Sequence, residues 1–293
     1  MPDCLLCGGD IVAVRPYTYR TRIFRRIYPS ATVFRCARCG LTQAKESVIK
    51  DADLTDYYRS TYRNVAKITS NDTEESQNYY KARATALRLL LDETTDGELS
   101  RVFEVGAGYG YNLAAIRDAH PNVELFTDEL DDNLQTAMGA RQASMDGTQY
   151  DAIIMSHVVE HFKDPGALIS RACNSLRKGG VLIIEVPNDA TGESSVTPCD
   201  EPHVSFFNSS TLRNLLAKEP RLTLVKMFVA GPTLVSKHPI RRTLIAYLSR
   251  YPSILDALKR LRPKREQPKS APIPDFSTPN DKGIFLRASA VRT

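Results

Sequence analysis

The sequence predicts an α/β fold with a doubly wound, Rossmann-like sheet, an N-terminal zinc ribbon and a basic helical insertion near the C-terminus. Helix-like and strand-like patterns alternate between residues 74 and 231, as in a parallel sheet covered on both faces. Two matched cysteine pairs precede this region, and a basic stretch separates it from a last strand-like segment. The predicted units are 1–48 for the zinc ribbon, 49–231 for the sheet domain, 232–282 for the insertion and 283–293 for the final sheet strand.

Composition and charge exclude several classes of protein. Hydrophobic residues make up 42% and charged residues 25% of the 293 residues, which is enough to build a core and excludes wholesale disorder. The N-terminus lacks a basic stretch before an apolar run, and no apolar run is long enough to span a bilayer. The expected location is therefore cytoplasmic. Basic residues concentrate in 237–269, which leaves the rest slightly acidic, unlike a protein that coats nucleic acid.

The periodicity of the central region predicts its helices and strands. Leucines on one face predict a helix over 74–91. A second helix, 165–176, is expected to begin after Asp164 and to end at Gly179-Gly180. The other predicted elements are strands at 102–105, 123–126, 150–155, 181–186, 222–229 and 283–291, a helix at 111–119, and a helix capped by Ser209 or Ser210 that runs to 218.

Two matched motifs in the first unit predict a metal site. They are Cys4-Leu-Leu-Cys7-Gly8 and Cys36-Ala-Arg-Cys39-Gly40, in which the glycine lets the chain turn so that backbone amides face the thiolates. Four sulfurs form the tetrahedral set that zinc favours, and four protein ligands leave no open position. We therefore expect Cys4, Cys7, Cys36 and Cys39 to hold a structural Zn²⁺, whose binding is part of the folding of this unit.

A glycine-rich turn after a predicted strand indicates a ligand site. Glycines in such a turn let a ligand approach the backbone closely, at the N-terminus of the following helix. A dinucleotide site has the spacing G-x-G-x-x-G, whereas this turn has E-x-G-x-G-x-G. Its glutamate does not suit a pyrophosphate, but it suits the positive amine of S-adenosylmethionine. The expected contacts with this cofactor are Glu104, Gly106, Ala107, Gly108 and Gly110.

Acidic residues follow the second predicted strand, from Asp128 to Asp132. Nucleoside ligands often meet a carboxylate there, because it accepts hydrogen bonds from both ribose hydroxyls. Glu129 is the expected ribose-binding acid, and Asp128 is the alternative. Asp131 or Asp132 is expected to cap the following helix.

Two histidines and a glutamate follow the next predicted strand, in Ser156-His-Val-Val-Glu-His161. Ligands of open α/β sheets bind at this edge, and a histidine can act there as a general base. His161 is therefore a candidate catalytic base, and Glu160 is a candidate for orienting it or for binding substrate. A helix cap is the alternative for both. His203, which lies near aromatic residues in the sequence, is a third catalytic candidate or a packed structural residue.

These motifs carry a resemblance to a known family. Over roughly residues 75–230 the chain is similar to class I S-adenosylmethionine-dependent methyltransferases, on the segments FEVGAGYG, TDELDD, YDAIIMSHVVEHFKDP, LRKGGVLIIEVPN and PHVSFFNSSTLRNLL. More narrowly, it resembles the bacterial small-molecule group that includes ubiquinone-biosynthesis O-methyltransferases. The cysteine motifs, followed by Tyr57, Tyr58 and Tyr62, resemble the zinc module of sugar C-methyltransferases and of methyltransferases of polysaccharide biosynthesis.

The resemblance implies roles for individual residues. In the family the glycine turn contacts the methionine portion of S-adenosylmethionine, and the acid matching Glu129 holds the ribose. The residues matching Ser156 and His157 line the cofactor. The pair matching Glu160 and His161 faces the acceptor.

Two stretches depart from the family pattern. Residues 133–149 are shorter than usual, which leaves the adenine-contacting acid unassigned, with Asp146 as one candidate. The basic segment 237–269 stands where sugar C-methyltransferases have a long C-terminal domain, and its apolar residues could share one face of two helices broken at Pro252. This segment is expected to contact an anionic membrane or a lipid-linked acceptor, or else to be a solvated insertion that packs on the sheet.

The expected function is methyl transfer from S-adenosylmethionine to a small molecule, such as a sugar, a nucleotide sugar, or a polysaccharide or glycolipid intermediate. The sulfonium is already a strong methyl donor, so proximity does most of the work. An RNA methyltransferase and a non-catalytic, cofactor-binding scaffold are the alternatives. The all-cysteine metal set, and basic residues that are not interleaved with aromatic ones, argue against RNA. The intact Glu104 and glycines argue against the scaffold.

Overall fold

The computed structural model describes most of the chain outside the basic segment. The described residues are 3–17, 31–46, 59, 73–131, 139–146, 149–189, 203–233 and 273–293. Several predicted features lie outside them. These features are the basic segment 237–269, the tyrosines Tyr57, Tyr58 and Tyr62, the capping candidate Asp132 and the unit boundary at 48/49.

The described residues form two sheets and the helices that cover the larger one. The strands are β1 (Ile11–Tyr17), β2 (Ala31–Cys36), β3 (Thr42–Glu46), β4 (Arg101–Val105), β5 (Glu124–Thr127), β6 (Arg141–Gln142), β7 (Tyr150–Ser156), β8 (Leu176–Pro187), β9 (Ser205–Phe206), β10 (Leu222–Thr233) and β11 (Gly283–Arg292). The α-helices are α1 (Glu74–Thr94), α2 (Tyr111–Ala119), α3 (Pro165–Ser175) and α4 (Ser209–Leu216), and a short 3-10 helix spans Val159–His161.

The larger sheet has the strand order β10-β11-β8-β7-β4-β5-β6. Strands β4 to β8 pair in parallel, whereas β11 lies antiparallel between β8 and β10. The order reverses at β4, because β5 and β6 lie on one side of it and β7 and β8 on the other. Ligands of open α/β sheets bind at such a reversal. This topology confirms the predicted α/β fold with a Rossmann-like sheet.

Helices cover both faces of this sheet, so it is doubly wound. Successive side chains of β7 point to opposite faces, with Ile153 in one core cluster and Ile154 in the other. Helices α1 and α2 add leucines to the cluster of Ile154, and α3 and α4 add leucines to the cluster of Ile153. No helix in the described part of the chain is both long and apolar enough to cross a membrane.

The start of α4 corrects one prediction. Neither Ser209 nor Ser210 caps this helix; Asn208 does. Its side-chain oxygen accepts a hydrogen bond from the backbone N–H of Thr211, and the Thr211 hydroxyl accepts one from the backbone N–H of Asn208. This reciprocal capping box satisfies two donors at once, which explains why the helix begins one residue earlier than a serine cap would allow.

The end of α3 corrects a second prediction. The helix ends at Ser175, and β8 begins at the next residue, so Gly179-Gly180 lies within the strand instead of ending the helix. The pairing of β8 with β7 is irregular across these glycines. A Cβ on Gly180 would lie 2.9 Å from the carbonyl oxygen of Arg177 and 3.1 Å from that of Tyr150. Glycine is therefore required here by the close approach of two backbones.

The cysteine-bearing unit is a smaller sheet with the order β1-β2-β3-β9. Strands β1, β2 and β3 form an antiparallel meander. The fourth strand, β9, comes from much later in the sequence, after β8. It pairs antiparallel with β3, with Thr42 opposite Phe206 and Gln43 opposite Ser205. The two units are therefore joined by a shared strand pairing that the sequence pattern does not predict.

Candidate active site

Most of the predicted site residues gather at the carboxyl edge of the parallel strands. Glu104 lies near the end of β4, and the glycine turn follows that strand. The acids Asp128 and Glu129 follow β5, and His157 follows Ser156, the last residue of β7. These three strands are neighbours at the reversal of the sheet. The fold thus brings together residues that the sequence places more than fifty positions apart, at the edge where such sheets bind ligands.

The turn after β4 has the backbone that its glycines suggest. Gly106, Gly108 and Gly110 have φ angles of 57°, 59° and 71°, in the left-handed region that favours glycine. Gly110 is the N-cap of α2, and its backbone N–H donates to the carbonyl of Ala107 at 2.9 Å. The turn is tight, and because three of its residues are glycines, its backbone lies directly beside the acids that follow β5.

Two acids pack against this turn. The backbone N–H of Gly106 donates to Asp128 Oδ1 at 2.9 Å, and that of Gly108 donates to Glu129 Oε2 at 2.6 Å. Glu129 is buried, and its Oε1 accepts a second backbone hydrogen bond from Asp131 at 2.9 Å. Burial raises the pKa of Asp128. Both sequence candidates for ribose binding therefore lie at the glycine turn.

Glu104 is a buried carboxyl group with one unsatisfied oxygen. Its side chain is 2% exposed, and Oε1 accepts a hydrogen bond from Asn112 Nδ2 of α2 at 2.6 Å. Its Oε2 is buried and has no hydrogen-bond partner in the described part of the protein. Burial, reinforced by the charge of Glu129, raises the pKa of Glu104 to about 8 against the opposing effect of Asn112. Such a group is stabilised as a carboxylate by a cation that binds beside it.

A second cluster surrounds Glu160, which is 1% exposed. His157 Nδ1 lies 3.3 Å and His161 Nε2 lies 3.9 Å from its Oε1. The rings of His161 and His203 are in edge contact, with centroids 4.9 Å apart. Burial opposes ionisation of Glu160, but the contact with His157 and the charge of His161 hold its pKa below the ordinary value. The three proposed catalytic residues thus form one cluster.

The geometry of this cluster has two chemical uses. The ligand atoms of Glu160, His161 and His203 lie within 4.8 Å of one another, which is close enough to share a cation. The same arrangement lets a carboxylate stabilise an imidazole that has taken up a proton. The sequence predicted the second use and did not predict the first.

His157, which contacts Glu160, holds an unusual backbone conformation. Its φ angle is 56°, a left-handed value that no other non-glycine residue among those described adopts. Its backbone N–H donates to the carbonyl of Glu185 at 2.8 Å, and its ring packs edge-on against Phe285. Strained residues of this kind persist where surrounding contacts hold them, often at functional sites.

A buried network of charged side chains lies beside Ser156, and the sequence did not predict it. Glu185 is fully buried and accepts hydrogen bonds from Arg83 Nε and Arg287 Nε, each at 2.6 Å. Arg83 Nη2 also donates to Ser156 Oγ at 3.0 Å. Burial opposes the charge of Glu185, but the two guanidinium groups lower its pKa to about 2. The network ties α1, β8 and β11 to the end of β7.

The four N-terminal cysteines converge as predicted. Their sulfur atoms all lie within 4.8 Å of one another, and the Cys4–Cys39 and Cys7–Cys36 sulfur pairs are 3.5 Å apart. A tetrahedral zinc with bonds of about 2.3 Å needs sulfur atoms in this range. Burial raises the pKa of the Cys4 and Cys39 thiols, whereas backbone amides lower the pKa of Cys36 to about 6 against the effect of burial. The donor set and its spacing fit zinc.

Comparisons with known proteins found a matching family model and solved structures that are similar to this chain. A family model described as "Methyltransferase domain" matches residues 75–219. No curated protein is similar enough in sequence to count as a relative. The plantazolicin methyltransferase BpumL, solved in complex with SAH, is similar with a TM-score of 0.52 and 15% identity over 82% of this chain and 94% of that chain. Magnesium protoporphyrin IX methyltransferase (ChlM) from Synechocystis PCC 6803 gives a TM-score of 0.49 and 11% identity over 85% and 100%.

Proposed function

We propose that this chain, whose residues 75–219 match a family model described as "Methyltransferase domain", transfers a methyl group from S-adenosylmethionine to a small molecule. The acceptor classes we favour are sugars, nucleotide sugars, and polysaccharide or glycolipid intermediates. The main observation in support is the buried oxygen of Glu104 that has no hydrogen-bond partner in the described part of the protein. It lies beside a turn whose three glycines carry no side chains, so a ligand can approach the backbone closely. The shared fold of a methyltransferase solved with SAH adds support.

The residues of the glycine turn fit S-adenosylmethionine part by part. The amine of its methionine portion would complete the hydrogen bonds of Glu104, and the backbone at Gly106 and Gly108 would lie along that portion. Glu129 or Asp128 would accept hydrogen bonds from the ribose hydroxyls. We place Ala107, Gly110, Ser156 and His157 around the same ligand. When bound, the ligand supplies a methyl group on a positively charged sulfur, ready for direct transfer.

Binding of this ligand should release a proton from Glu104. The pKa of about 8 means that the free carboxyl group is mostly protonated near pH 7, whereas a bound amine favours the carboxylate. We expect about one proton to be released near pH 7 and the affinity to rise as the pH approaches 8. Titration calorimetry in buffers of different ionisation enthalpy measures the proton count. The Glu104→Gln variant should release almost none, and equal release by both proteins would contradict this assignment.

On the acceptor side, we propose that Glu160, His161 and His203 form the catalytic cluster. An acceptor hydroxyl or amine must lose a proton as its new bond to carbon forms, and His161 or His203 would take it up. Glu160 would stabilise the imidazolium that results, since its pKa is held below the ordinary value and its carboxylate is buried against the histidines. Excluding water from this cluster strengthens that stabilisation.

Replacing His161 by asparagine should slow methyl transfer without weakening cofactor binding. General-base catalysis contributes about a hundredfold or more to rate, so turnover should fall by about that factor. The assay is formation of S-adenosylhomocysteine with an acceptor found by screening the proposed classes. His120→Asn is the matched control, because His120 lies at the end of α2 in contact with Asp92. Equal turnover of wild type and His161→Asn would remove His161 from the mechanism.

We further propose that the four N-terminal cysteines hold one structural zinc ion. The sulfur spacing supports this, as do the backbone N–H groups of Leu6 and Arg38, which lie 3.4 Å and 3.3 Å from the sulfurs of Cys4 and Cys36. Four thiolates fill a tetrahedral site, so the metal would stabilise the fold and take no part in the chemistry.

The zinc content of purified protein tests this proposal. Wild type should contain about one zinc ion per chain, measured by plasma mass spectrometry, because four thiolates complete the site. Cys36→Ser should lose the metal. Cys173→Ser removes a buried cysteine of α3, outside the cluster, and should retain it. Zinc retained by Cys36→Ser, or lost from Cys173→Ser, would contradict the assigned ligand set.

Location and wider contacts stay predictions from the sequence. We expect the cytoplasm, and a contact between 237–269 and an anionic membrane or a lipid-linked acceptor. The unit boundaries at 48/49 and 231/232 are likewise predictions from the sequence. Nucleic acid is not an expected partner.

A further inference from the structure

The cysteine-bearing sheet is joined directly to the acceptor side of the site. Strand β9, which pairs with β3, begins two residues after His203. Between them, the backbone N–H of Val204 donates to the carbonyl of Glu160 at 2.8 Å. The carbonyl of Val204 accepts from the N–H of Ala44 in β3, also at 2.8 Å. Val204 is thus held between the cysteine-bearing sheet and the catalytic cluster.

Gln43 links this strand pairing to the first cysteine motif. Its side chain is 2% exposed, its Oε1 accepts from the backbone N–H of Leu5 at 3.0 Å, and its Nε2 donates to the carbonyl of Asp3 at 3.3 Å. The backbone of Gln43 is paired with Ser205 of β9. One residue therefore connects the segment around Cys4 to the strand that follows His203.

The two units also share one hydrophobic core. Leu6 lies within the first cysteine motif and Leu41 directly follows the second. Both belong to the same buried cluster as Val159 and Phe207. Val159 precedes Glu160 in the 3-10 helix, and Phe207 follows β9. Loosening the cysteine motifs would therefore disturb packing on both sides of the catalytic cluster.

The cofactor side of the site is held by different contacts. Glu104 is bound by Asn112 of α2, and Gly106 and Gly108 are bound by the acids after β5. These contacts lie within the Rossmann-like sheet and its helices. The hydrogen bonds on the cofactor side are thus separate from those that join Gln43 and Val204 to the acceptor side. The shared hydrophobic core reaches both sides, because it also contains Phe103 and Val105, which flank Glu104.

From this arrangement we infer that the cysteine-bearing sheet positions residues for catalysis. When its four cysteines hold metal, Gln43 and the β3–β9 pairing fix His203 and Glu160 on the acceptor side. This positioning is independent of cofactor binding. The inference rests on the proposed function of the two clusters. It assigns to Gln43 a positioning role, exerted through β9, and it predicts that metal loss would leave a protein that binds cofactor but has a disordered acceptor side.

The test compares Gln43→Met with a matched control in the same sheet. Methionine keeps the length of the side chain but loses both hydrogen bonds. Val14→Thr changes a residue of β1, at the opposite edge, that is 56% exposed. Three properties are measured in the purified, zinc-loaded proteins: amide hydrogen exchange of the segment 203–207, the imidazole NMR resonance of His203, and affinity for S-adenosylmethionine. The fourth sample is wild type treated with a zinc chelator. It tests the inference without depending on the folding of a variant.

Gln43→Met and the chelated wild type should both show exchange in 203–207 that is about tenfold faster or more, because local opening becomes easier. The His203 resonance should move, while that of His120 should not. Cofactor affinity should stay within about twofold, and Val14→Thr should match wild type throughout. Unchanged exchange and an unmoved His203 resonance in the chelated protein would overturn the inference, as would a parallel loss of cofactor affinity. Failure of untreated wild type to bind S-adenosylmethionine would instead count against the proposed function.

Discussion

The substitution Gly108→Asp should reduce affinity for S-adenosylmethionine by about a hundredfold or more, because the glycine turn works by leaving its backbone bare. Gly108 has a φ angle of 59°, and its N–H donates to Glu129. A side chain here would strain the turn and fill the space along which the methionine portion is proposed to lie. Its carboxylate would also repel Glu129, which we propose binds the ribose. Titration calorimetry measures the loss.

Gly97→Asp is the control for strain and charge. Gly97 has a φ angle of 96°, and a Cβ built on it meets no atom within 4 Å. It lies in the loop between α1 and β4, away from the carboxyl edge of the sheet. The control should therefore keep cofactor affinity within about twofold, since exposed changes far from a site have small effects. Wild-type affinity in Gly108→Asp would remove the turn from the binding site.

The second large effect is on stability. Glu185→Gln should lower the free energy of unfolding by about 3–5 kcal/mol, because it leaves buried guanidinium groups without their counter-charge. The side chain of Arg287 is fully buried, that of Arg83 is 14% exposed, and both bind the Glu185 carboxylate. Urea denaturation measures the change. Glu93→Gln makes the same replacement in an exposed pair with Lys226, so its cost should be under about 1 kcal/mol.

The same network predicts the direction of a pH effect. The pKa of Glu185 is lowered from 4.5 to about 2 in the folded protein, so the folded state binds its proton less readily than the unfolded state. Its stabilising contribution is complete above pH 4.5 and is lost as the pH falls towards 2. Wild type should therefore lose stability more steeply than Glu185→Gln over this range. Equal slopes, or a cost as small as that of Glu93→Gln, would mean that the ion network does not stabilise the fold.

Features made by neighbouring residues could be predicted from the sequence. The glycine turn needs only a strand, three glycines and a helix start, and all three glycines have the left-handed φ angles that such a turn requires. The cysteine motifs are equally local, because each positions its two sulfurs within four residues. Their convergence into one cluster follows from the hairpin of β2 and β3 and from the pairing of β1 with β2. The alternation of helices and strands predicted the sheet for the same reason.

The ion network could be suspected but not assigned. Glu185 and Arg287 each interrupt a segment predicted as a buried strand, and a buried charge requires a partner. Glu185 is 102 residues from Arg83 and 102 from Arg287, so no periodicity connects them. Only the antiparallel pairing of β11 with β8 places Arg287 opposite Glu185.

The pairing of β3 with β9, which connects the two units, has no recognisable pattern in the sequence. Strand β9 has two residues, which is too short to show alternation. The sequence predicts either a catalytic or a packed structural role for His203. His203 is 7% exposed, its ring contacts that of His161, and it lies two residues before β9. The position of β9 is set by its pairing with β3, which is distant in the sequence, so the residues of β9 alone do not predict it.

The most direct test of the central claim is calorimetric titration of the zinc-loaded wild-type protein with S-adenosylmethionine, S-adenosylhomocysteine and NAD. We predict micromolar binding of the first two, which share the amine that Glu104 would meet, and no binding of NAD, whose pyrophosphate would face that carboxylate. Binding of NAD, or no binding of either S-adenosyl compound by a folded protein, would contradict the account.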